Sequence, residues 1–195
     1  MNQRGFTLVE TAVVLVIIGL ILGGILGSRS LIRSMQAKDV IAIVEDLRAA
    51  TAYFKQRHSY LPGDWPYTPG EIPNITAGPG NGNGEIATAE MEAASLQLFH
   101  AGFLGKIDNS DPLDPSPRIR TLYGAVHLVR PADCGVAGFP TSARNVIEFL
   151  NLPCDIVAEV DNKIDDGNPV ITTGRAFGAA CNANDIVTNY AVTLE

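Results

Sequence analysis

The sequence lacks the short motifs that mark many enzymes and metal-binding domains. Its three cysteines include no CxxC pair, and its three histidines, His58, His100 and His127, are scattered. No HExxH, GxSxG or GxxxxGK[ST] pattern occurs. Nothing in the sequence therefore indicates a zinc ribbon, a thioredoxin-like redox site, a zinc protease, a serine hydrolase or a P-loop nucleotide site. We expect a protein that is not an enzyme.

Positive charge is also scarce. The chain of 195 residues carries 14 Lys and Arg against 21 Asp and Glu, a formal net charge of -7. This balance argues against a nucleic-acid-binding surface. Only 18% of the residues are charged and 46% are hydrophobic, and much of that hydrophobicity lies at the N-terminus. The length allows one domain of ordinary size with an appendage.

What the chain does have is a long apolar run near its N-terminus, GFTLVETAVVLVIIGLILGGILG, interrupted by the carboxylate of Glu10. The segment 6–27 has 22 residues and would extend roughly 33 Å as a helix, enough to span a bilayer core. Only five residues precede it, which is too few for an ordinary secretory signal. We therefore predict a transmembrane helix over 6–27.

The helix is predicted to continue beyond the apolar run. Apolar residues recur at spacings of three and four, as in an amphipathic helix, at Val40, Ile43, Val44, Leu47, Ala50 and Phe54. No proline occurs before Pro62, so one helix can run from Phe6 to about His58. We assign 28–60 to this amphipathic continuation and 61–195 to a globular head.

The stretch Arg4-Gly5-Phe6-Thr7-Leu8-Val9-Glu10 resembles the leader-processing motif of the type IV pilin family, which includes the pseudopilins of type II secretion. Segments 54–64 and 152–169 also resemble stretches that recur in pilin-like proteins. The resemblance implies that a prepilin peptidase removes the leader 1–5 by cutting between Gly5 and Phe6, and that Phe6 is then N-methylated. It also implies that 6–27 serves as an assembly helix. Within it, Glu10 would have an assembly role, because its carboxylate would pair with the N-terminal ammonium of a neighbouring subunit.

The resemblance further implies a single-pass protein of the inner membrane with its C-terminal head in the periplasm, which later enters a pilus or pseudopilus. Its implied partners are the prepilin peptidase/N-methyltransferase, other pilin or pseudopilin subunits, the inner-membrane assembly platform and the lipid bilayer. Charge alone favours the opposite orientation, because only Arg4 precedes the apolar run while Arg29, Arg33 and Lys38 follow it. We follow the resemblance and the three cysteines in the last third of the chain, which argue for an N-terminus inside and a C-terminal domain outside.

The head is predicted to be α+β. A loop rich in glycine and proline covers 60–84, and helices are predicted over 88–100 and 153–164. Strands are predicted over 121–130, 145–152, 175–179 and 186–194. This order fits the type IV pilin-like fold that the resemblance implies, in which a long N-terminal helix packs on a small, mostly antiparallel sheet.

Two groups of oxygen-bearing side chains partly fit a calcium site, and Ca²⁺ is the one cofactor that the sequence suggests. The first follows part of the EF-hand spacing but has Pro79 at the first ligand position; its members are Asn81, Asn83 and Glu90. The second is an acidic cluster near the C-terminus, Asp161, Asp165 and Asp166. Ordinary turns are the commoner interpretation of both patterns, since Asn, Asp and Gly are frequent turn residues.

The three cysteines, Cys134, Cys154 and Cys181, favour one disulfide and one leftover thiol in an exported chain. If a parallel strand follows the helix near Cys154, the ends of the two strands meet and Cys154–Cys181 is the expected pair. If the last strands are antiparallel, Cys134–Cys181 is favoured instead. We choose the first pair as the prediction and leave the second open.

Together these features predict a structural subunit, in particular a minor pilin or pseudopilin, of a type IV pilus or type II secretion pseudopilus. The alternative is a membrane-anchored periplasmic or surface binding module, with an adhesin-like head, that does not itself polymerise. Glu10 distinguishes the two hypotheses, because only assembly would supply a partner for its carboxylate.

Overall fold

A computed structural model describes residues 7–105, 107–108, 119–165, 167–168, 174–182 and 185–194. Within these residues the helices are α1 (Leu8–His58), α2 (Thr88–His100) and α3 (Cys154–Ile164). The strands are β1 (Ile119–Arg120), β2 (Ala125–Val129), β3 (Val146–Pro153), β4 (Ala176–Gly178) and β5 (Ile186–Thr193).

Helix α1 runs without interruption from the apolar run into the head. It contains 51 residues and is about 76 Å long. Ser59 ends it in a left-handed conformation, with φ at 65°, and its N–H donates to the Lys55 carbonyl. Pro62 follows shortly afterwards and could not have continued the helix. The prediction of one continuous helix is confirmed from Leu8 onward.

The second half of α1 supplies one side of the hydrophobic core. Its predicted apolar stripe faces the head, where Ile43 is half-buried and the other members are buried: Val40, Val44, Leu47, Ala50 and Phe54. Burying side chains of this kind is the main favourable term in holding a helix against a sheet. The amphipathic pattern therefore fixes which face of α1 contacts the head.

The five strands form one sheet in the order β1-β2-β3-β5-β4, and every neighbouring pair is antiparallel. Strands β3 and β5 pair from Val146 opposite Thr193 to Pro153 opposite Ile186. Helix α3 packs against α1, and α2 contacts β2. The predicted α+β fold, a long N-terminal helix on a small antiparallel sheet, is confirmed and is consistent with a pilin-like fold.

The strand predicted over 121–130 is shorter than expected. Only β2 forms there, because the Thr121 N–H donates to the Gly124 carbonyl over 2.8 Å and closes a turn before it. An added Cβ at Gly124 would lie 2.3 Å from the Leu150 carbonyl oxygen. The glycine therefore allows this turn to lie directly against β3.

The loop over 60–84 is anchored mainly by buried apolar side chains. Trp65 and Ile72 are buried and Ile75 is half-buried, whereas Tyr60 and Tyr67 are exposed. A hydrogen bond from the Gly63 N–H to the buried Gln97 side chain, 2.7 Å long, ties this loop to α2.

No helix in the described part of the chain is both long and apolar enough to cross a membrane. The structure thus gives no support to the membrane-spanning role predicted for 6–27.

Candidate assembly interface

The first half of α1 exposes large apolar side chains around its whole circumference. From position 8 to position 22 every such side chain is at least 46% exposed, and Leu8 reaches 84%. We call residues 8–22 the apolar segment. Soluble proteins rarely expose so much continuous apolar surface unless it binds another protein or a membrane.

Glu10 lies at the start of this segment in a reciprocal capping box with Thr7. The backbone N–H and the hydroxyl of Thr7 each donate to Glu10 Oε2 over 2.8 Å, and the Glu10 N–H donates back to Thr7 Oγ1 over 3.3 Å. The box satisfies backbone donors that a helix start would otherwise leave open. The carboxylate is therefore oriented before any other chain approaches.

The position of Glu10 determines which partner the apolar segment can accept. Val9, Val13 and Val14 surround it on the helix, so a partner that covers these side chains must also cover the carboxylate. Burial of an ionised carboxylate costs several kcal/mol unless a cation or hydrogen-bond donors compensate. A partner that brings positive charge to Glu10 is consequently favoured over a purely apolar one.

The second half of α1 is fixed to the head by polar contacts as well as by its buried stripe. Arg33 forms an ion pair of 2.8 Å with Asp155 of α3. Arg48 donates to the Thr193 carbonyl over 2.6 Å. Partial burial lowers the pKa of Arg48, and the charge of Arg175 acts in the same direction. Helix α1 thus carries the apolar segment as a continuous extension of an anchored helix.

The predicted processing residues, Gly5 and Phe6, lie outside the described residues. The description begins at Thr7, the residue after the expected new N-terminus. The cleavage and methylation site therefore stays a prediction from the sequence.

The first candidate calcium group is engaged in hydrogen bonds within the chain. Glu90 Oε2 accepts from the Ala87 N–H over 2.8 Å, and Glu90 Oε1 accepts from Asn81 Nδ2 over 2.9 Å. Asn83 Oδ1 accepts from the Glu85 N–H over 2.7 Å. The structure brings these three residues together where the loop meets the first turn of α2, and their bonds are those of a turn and a helix cap.

The second candidate group is likewise divided among internal contacts. Asp161 is buried and accepts a hydrogen bond of 3.1 Å from the Tyr190 hydroxyl, while Asp165 accepts from the Arg175 and Ala176 N–H groups. Asp166 lies outside the described residues. Among the residues that are described, no group of three or more His, Cys, Asp or Glu side chains is placed to hold a metal ion. Calcium binding at either group stays a prediction.

A disulfide joins Cys154 and Cys181, the predicted pair. Strands β3 and β4 both run antiparallel to β5, which lies between them, so β4 runs parallel in direction to β3, as the prediction required. Strand β5 runs antiparallel to β3, and its start at Ile186 lies opposite the end of β3. The chain just before β5 therefore passes α3, and the Cys154 N–H donates to the Asp185 carbonyl over 2.9 Å. Helix α3 crosses from β3 to β4, and because these two strands run in the same direction, Cys181 just after β4 lies near Cys154 at the end of β3.

Cys134 is a free thiol beside a buried carboxylate. Glu148 Oε1 accepts from Cys134 Sγ over 3.4 Å, from the Gly135 N–H over 2.7 Å and from Asn189 Nδ2 over 2.8 Å. Burial, together with the negative charge of Glu148, raises the pKa of the Cys134 thiol to about 12. The thiol is consequently a poor nucleophile at neutral pH.

Sequence reasoning missed two of these arrangements. The partner of Glu10 could have been found, because Thr7-Leu8-Val9-Glu10 has the T-x-x-E spacing of a capping box at the start of an apolar helix. The hydrogen bonds around Glu148 left no such local signal, since Cys134, Glu148 and Asn189 are far apart along the chain.

Residues 1–26 match the family model of the prokaryotic N-terminal methylation motif. This match confirms the type IV pilin or pseudopilin type of the N-terminal segment, and it supports processing by a prepilin peptidase. The comparison with curated proteins gave no match. The comparison with solved structures gave none either.

Proposed function

We propose that this chain is a structural subunit of a type IV pilus or a type II secretion pseudopilus, and that it assembles through the first half of α1. The observation that carries the proposal is the coincidence of two features in one segment. The methylation motif covers residues 1–26, and the same stretch exposes the apolar segment with Glu10 at its start.

The chemistry of the segment suits association with copies of itself. Apolar side chains around the whole helix would be covered in a bundle of several copies. Gly19, Gly23 and Gly24 have open space around them, and small residues of this kind let helices approach closely. After cleavage behind Gly5, the N-terminal ammonium of one copy would supply the positive charge that Glu10 of the next copy requires.

Localisation follows from the same proposal. Before assembly the subunit is held in the inner membrane by its N-terminal segment in a single pass, with the head in the periplasm. The Cys154–Cys181 disulfide fits an oxidising compartment of that kind. The partners are then the prepilin peptidase, the assembly platform and other subunits, and the role of the protein is structural rather than catalytic.

The decisive experiment co-expresses two differently tagged copies of the full chain with a prepilin peptidase. Mass spectrometry of the mature protein should find a methylated Phe6 at the N-terminus. Capture of one tag should retain the other copy, and Glu10→Ala should reduce this co-capture by about tenfold or more. Glu45→Ala is the matched control, because Glu45 is an exposed glutamate on the second half of the same helix.

Two results would overturn the proposal. An N-terminus that still begins at Met1 would contradict processing after Gly5. Co-capture that is unaffected by Glu10→Ala, with a head that melts normally, would favour the anchored binding module instead.

A further inference from the structure

The turn between β1 and β2 presents an exposed leucine on a hydrogen-bonded support. Leu122 is 81% exposed at the tip of this turn. The Thr121 hydroxyl accepts from the N–H groups of Tyr123 and Gly124, each over 3.1 Å, and Thr121 N–H donates to the Gly124 carbonyl. Tyr123 packs against the hydrophobic core. The leucine is therefore held outward by a turn whose own backbone groups are bonded.

This turn lies against α1 at the place where the helix enters the head. Leu122 and Tyr123 border a narrow cavity of about 60 Å³ whose other wall is formed by α1, at Gln36, Asp39 and Val40. The tip of the turn consequently stands beside the helix.

The neighbouring turn of α1 also exposes apolar side chains. Leu31, Ile32 and Met35 are each more than half exposed. Helix geometry places positions 31, 35 and 39 in one row and positions 32, 36 and 40 in the next. Leu31 and Met35 therefore share a row with Asp39, and Ile32 shares a row with Gln36 and Val40. These last three residues line the same cavity as Leu122.

We infer that Leu122, Leu31, Ile32 and Met35 form a second contact surface for another copy of this chain. We call these four residues the rim patch. The inference rests on the proposed function, because it extends the contact made by the apolar segment toward the head.

Two observations favour a second copy as the occupant. The rim patch continues along the same helix as the exposed apolar segment, which would already lie against other copies in an assembly. Charged groups adjoin the patch as well, since Arg33 pairs with Asp155 and Asp39 borders Leu122. Apolar side chains bordered by charged and polar groups are typical of protein–protein contacts.

The test uses Leu122→Ser in the same co-capture experiment with the full, processed chain. We expect co-capture to fall about tenfold, because the burial of an apolar side chain against the other copy is lost, with an unchanged melting temperature of the head. Ile186→Ser is the matched control, because Ile186 is also an exposed apolar residue, 65% accessible, but lies at the start of β5. Equal co-capture by the wild type and by Leu122→Ser would overturn the inference.

A cross-linking arm identifies the occupant directly. A photoreactive maleimide on Leu122→Cys, in a Cys134→Ser background, should cross-link to a peptide from 8–35 of the other tagged copy. Cross-links only to lipid, or a Leu122→Ser variant that loses flotation with phosphatidylglycerol vesicles while keeping co-capture, would show that the rim patch meets a membrane and overturn the inference.

Glu10→Ala separates the two proposals. If Glu10→Ala abolishes co-capture and Leu122→Ser does not, the rim patch is refuted and the proposed function stands. If neither variant changes co-capture, both are refuted.

Discussion

The hydroxyl of Thr7 and the backbone N–H of Thr7 converge on one carboxylate oxygen of Glu10, each over 2.8 Å. The second residue of the expected mature chain thus orients the acid that is proposed to receive a neighbour's ammonium. Two roles meet in this one contact, the capping of α1 and the positioning of a charge for assembly.

Removal of the Thr7 hydroxyl should therefore weaken both roles. We expect Thr7→Ala to cost the helix start about 1 kcal/mol and to lower co-capture between copies about fivefold, since a kcal/mol corresponds to about that factor. Thr7→Ser keeps the hydroxyl and should behave like the wild type. Co-capture of tagged copies measures the effect, and thermal melting should show an unchanged head.

Thr11→Ala is the control for this prediction. The Thr11 hydroxyl also bonds the backbone of the first turn, donating to the Leu8 carbonyl over 3.0 Å, but it makes no bond to Glu10. If Thr11→Ala lowers co-capture as much as Thr7→Ala does, the effect of Thr7 on assembly does not depend on its hydrogen bonds to Glu10.

Loss of the Cys154–Cys181 disulfide should destabilise the head. The bond closes a loop with a sequence separation of 27, and a loop of this size is expected to contribute about 3–4 kcal/mol by restricting the unfolded chain. The double variant Cys154→Ser, Cys181→Ser should lose that amount in denaturant unfolding. A reducing agent should destabilise the wild type but not the double variant.

Cys134→Ser is the matched control for the disulfide, because its hydroxyl can still donate to Glu148. It should keep most of the stability and respond to the reducing agent as the wild type does. A large response to reduction in the double variant would mean that the reducing agent acts elsewhere.

Local signals predicted the helices well. The spacing of apolar residues identified the buried face of α1, and α2 occupies the predicted positions, with Gly102 in the left-handed region just after it. These features depend on residues within a few turns of one another, so a sequence shows them directly.

Features that depend on the register of the sheet could not be predicted in this way. The turn at Gly124 requires a close approach to Leu150, and the meeting of Cys154 with Cys181 requires β4 to run in the same direction as β3. No local pattern encodes either contact. The disulfide pair was predicted correctly because the chain adopts the parallel course of β3 and the strand after α3, one of the two topologies that the sequence left open.

Glu148 provides a pH-dependent prediction for the folded head. Burial alone would raise the pKa of its carboxyl group, but hydrogen bonds from His127, Gly135, Asn189 and Cys134 outweigh burial and lower the pKa to about 2. The pKa in the unfolded chain is higher, near its ordinary value of 4.5. The contribution of Glu148 to stability is therefore complete above about pH 4.5 and is lost as the pH falls toward 2.

The measurement compares the free energy of unfolding of the wild type and Glu148→Gln across acidic pH. At neutral pH the variant should be less stable by at most about 3 kcal/mol, the energy that a shift of this size represents. The two curves should converge as the pH falls toward 2, because the wild-type carboxyl group is then protonated as well. Glu159→Gln is the control, since Glu159 is half-buried and pairs with Lys163 in an i,i+4 contact of 3.4 Å, and its curve should stay nearly parallel to that of the wild type. Parallel curves for Glu148→Gln would show that the charge of Glu148 does not stabilise the fold.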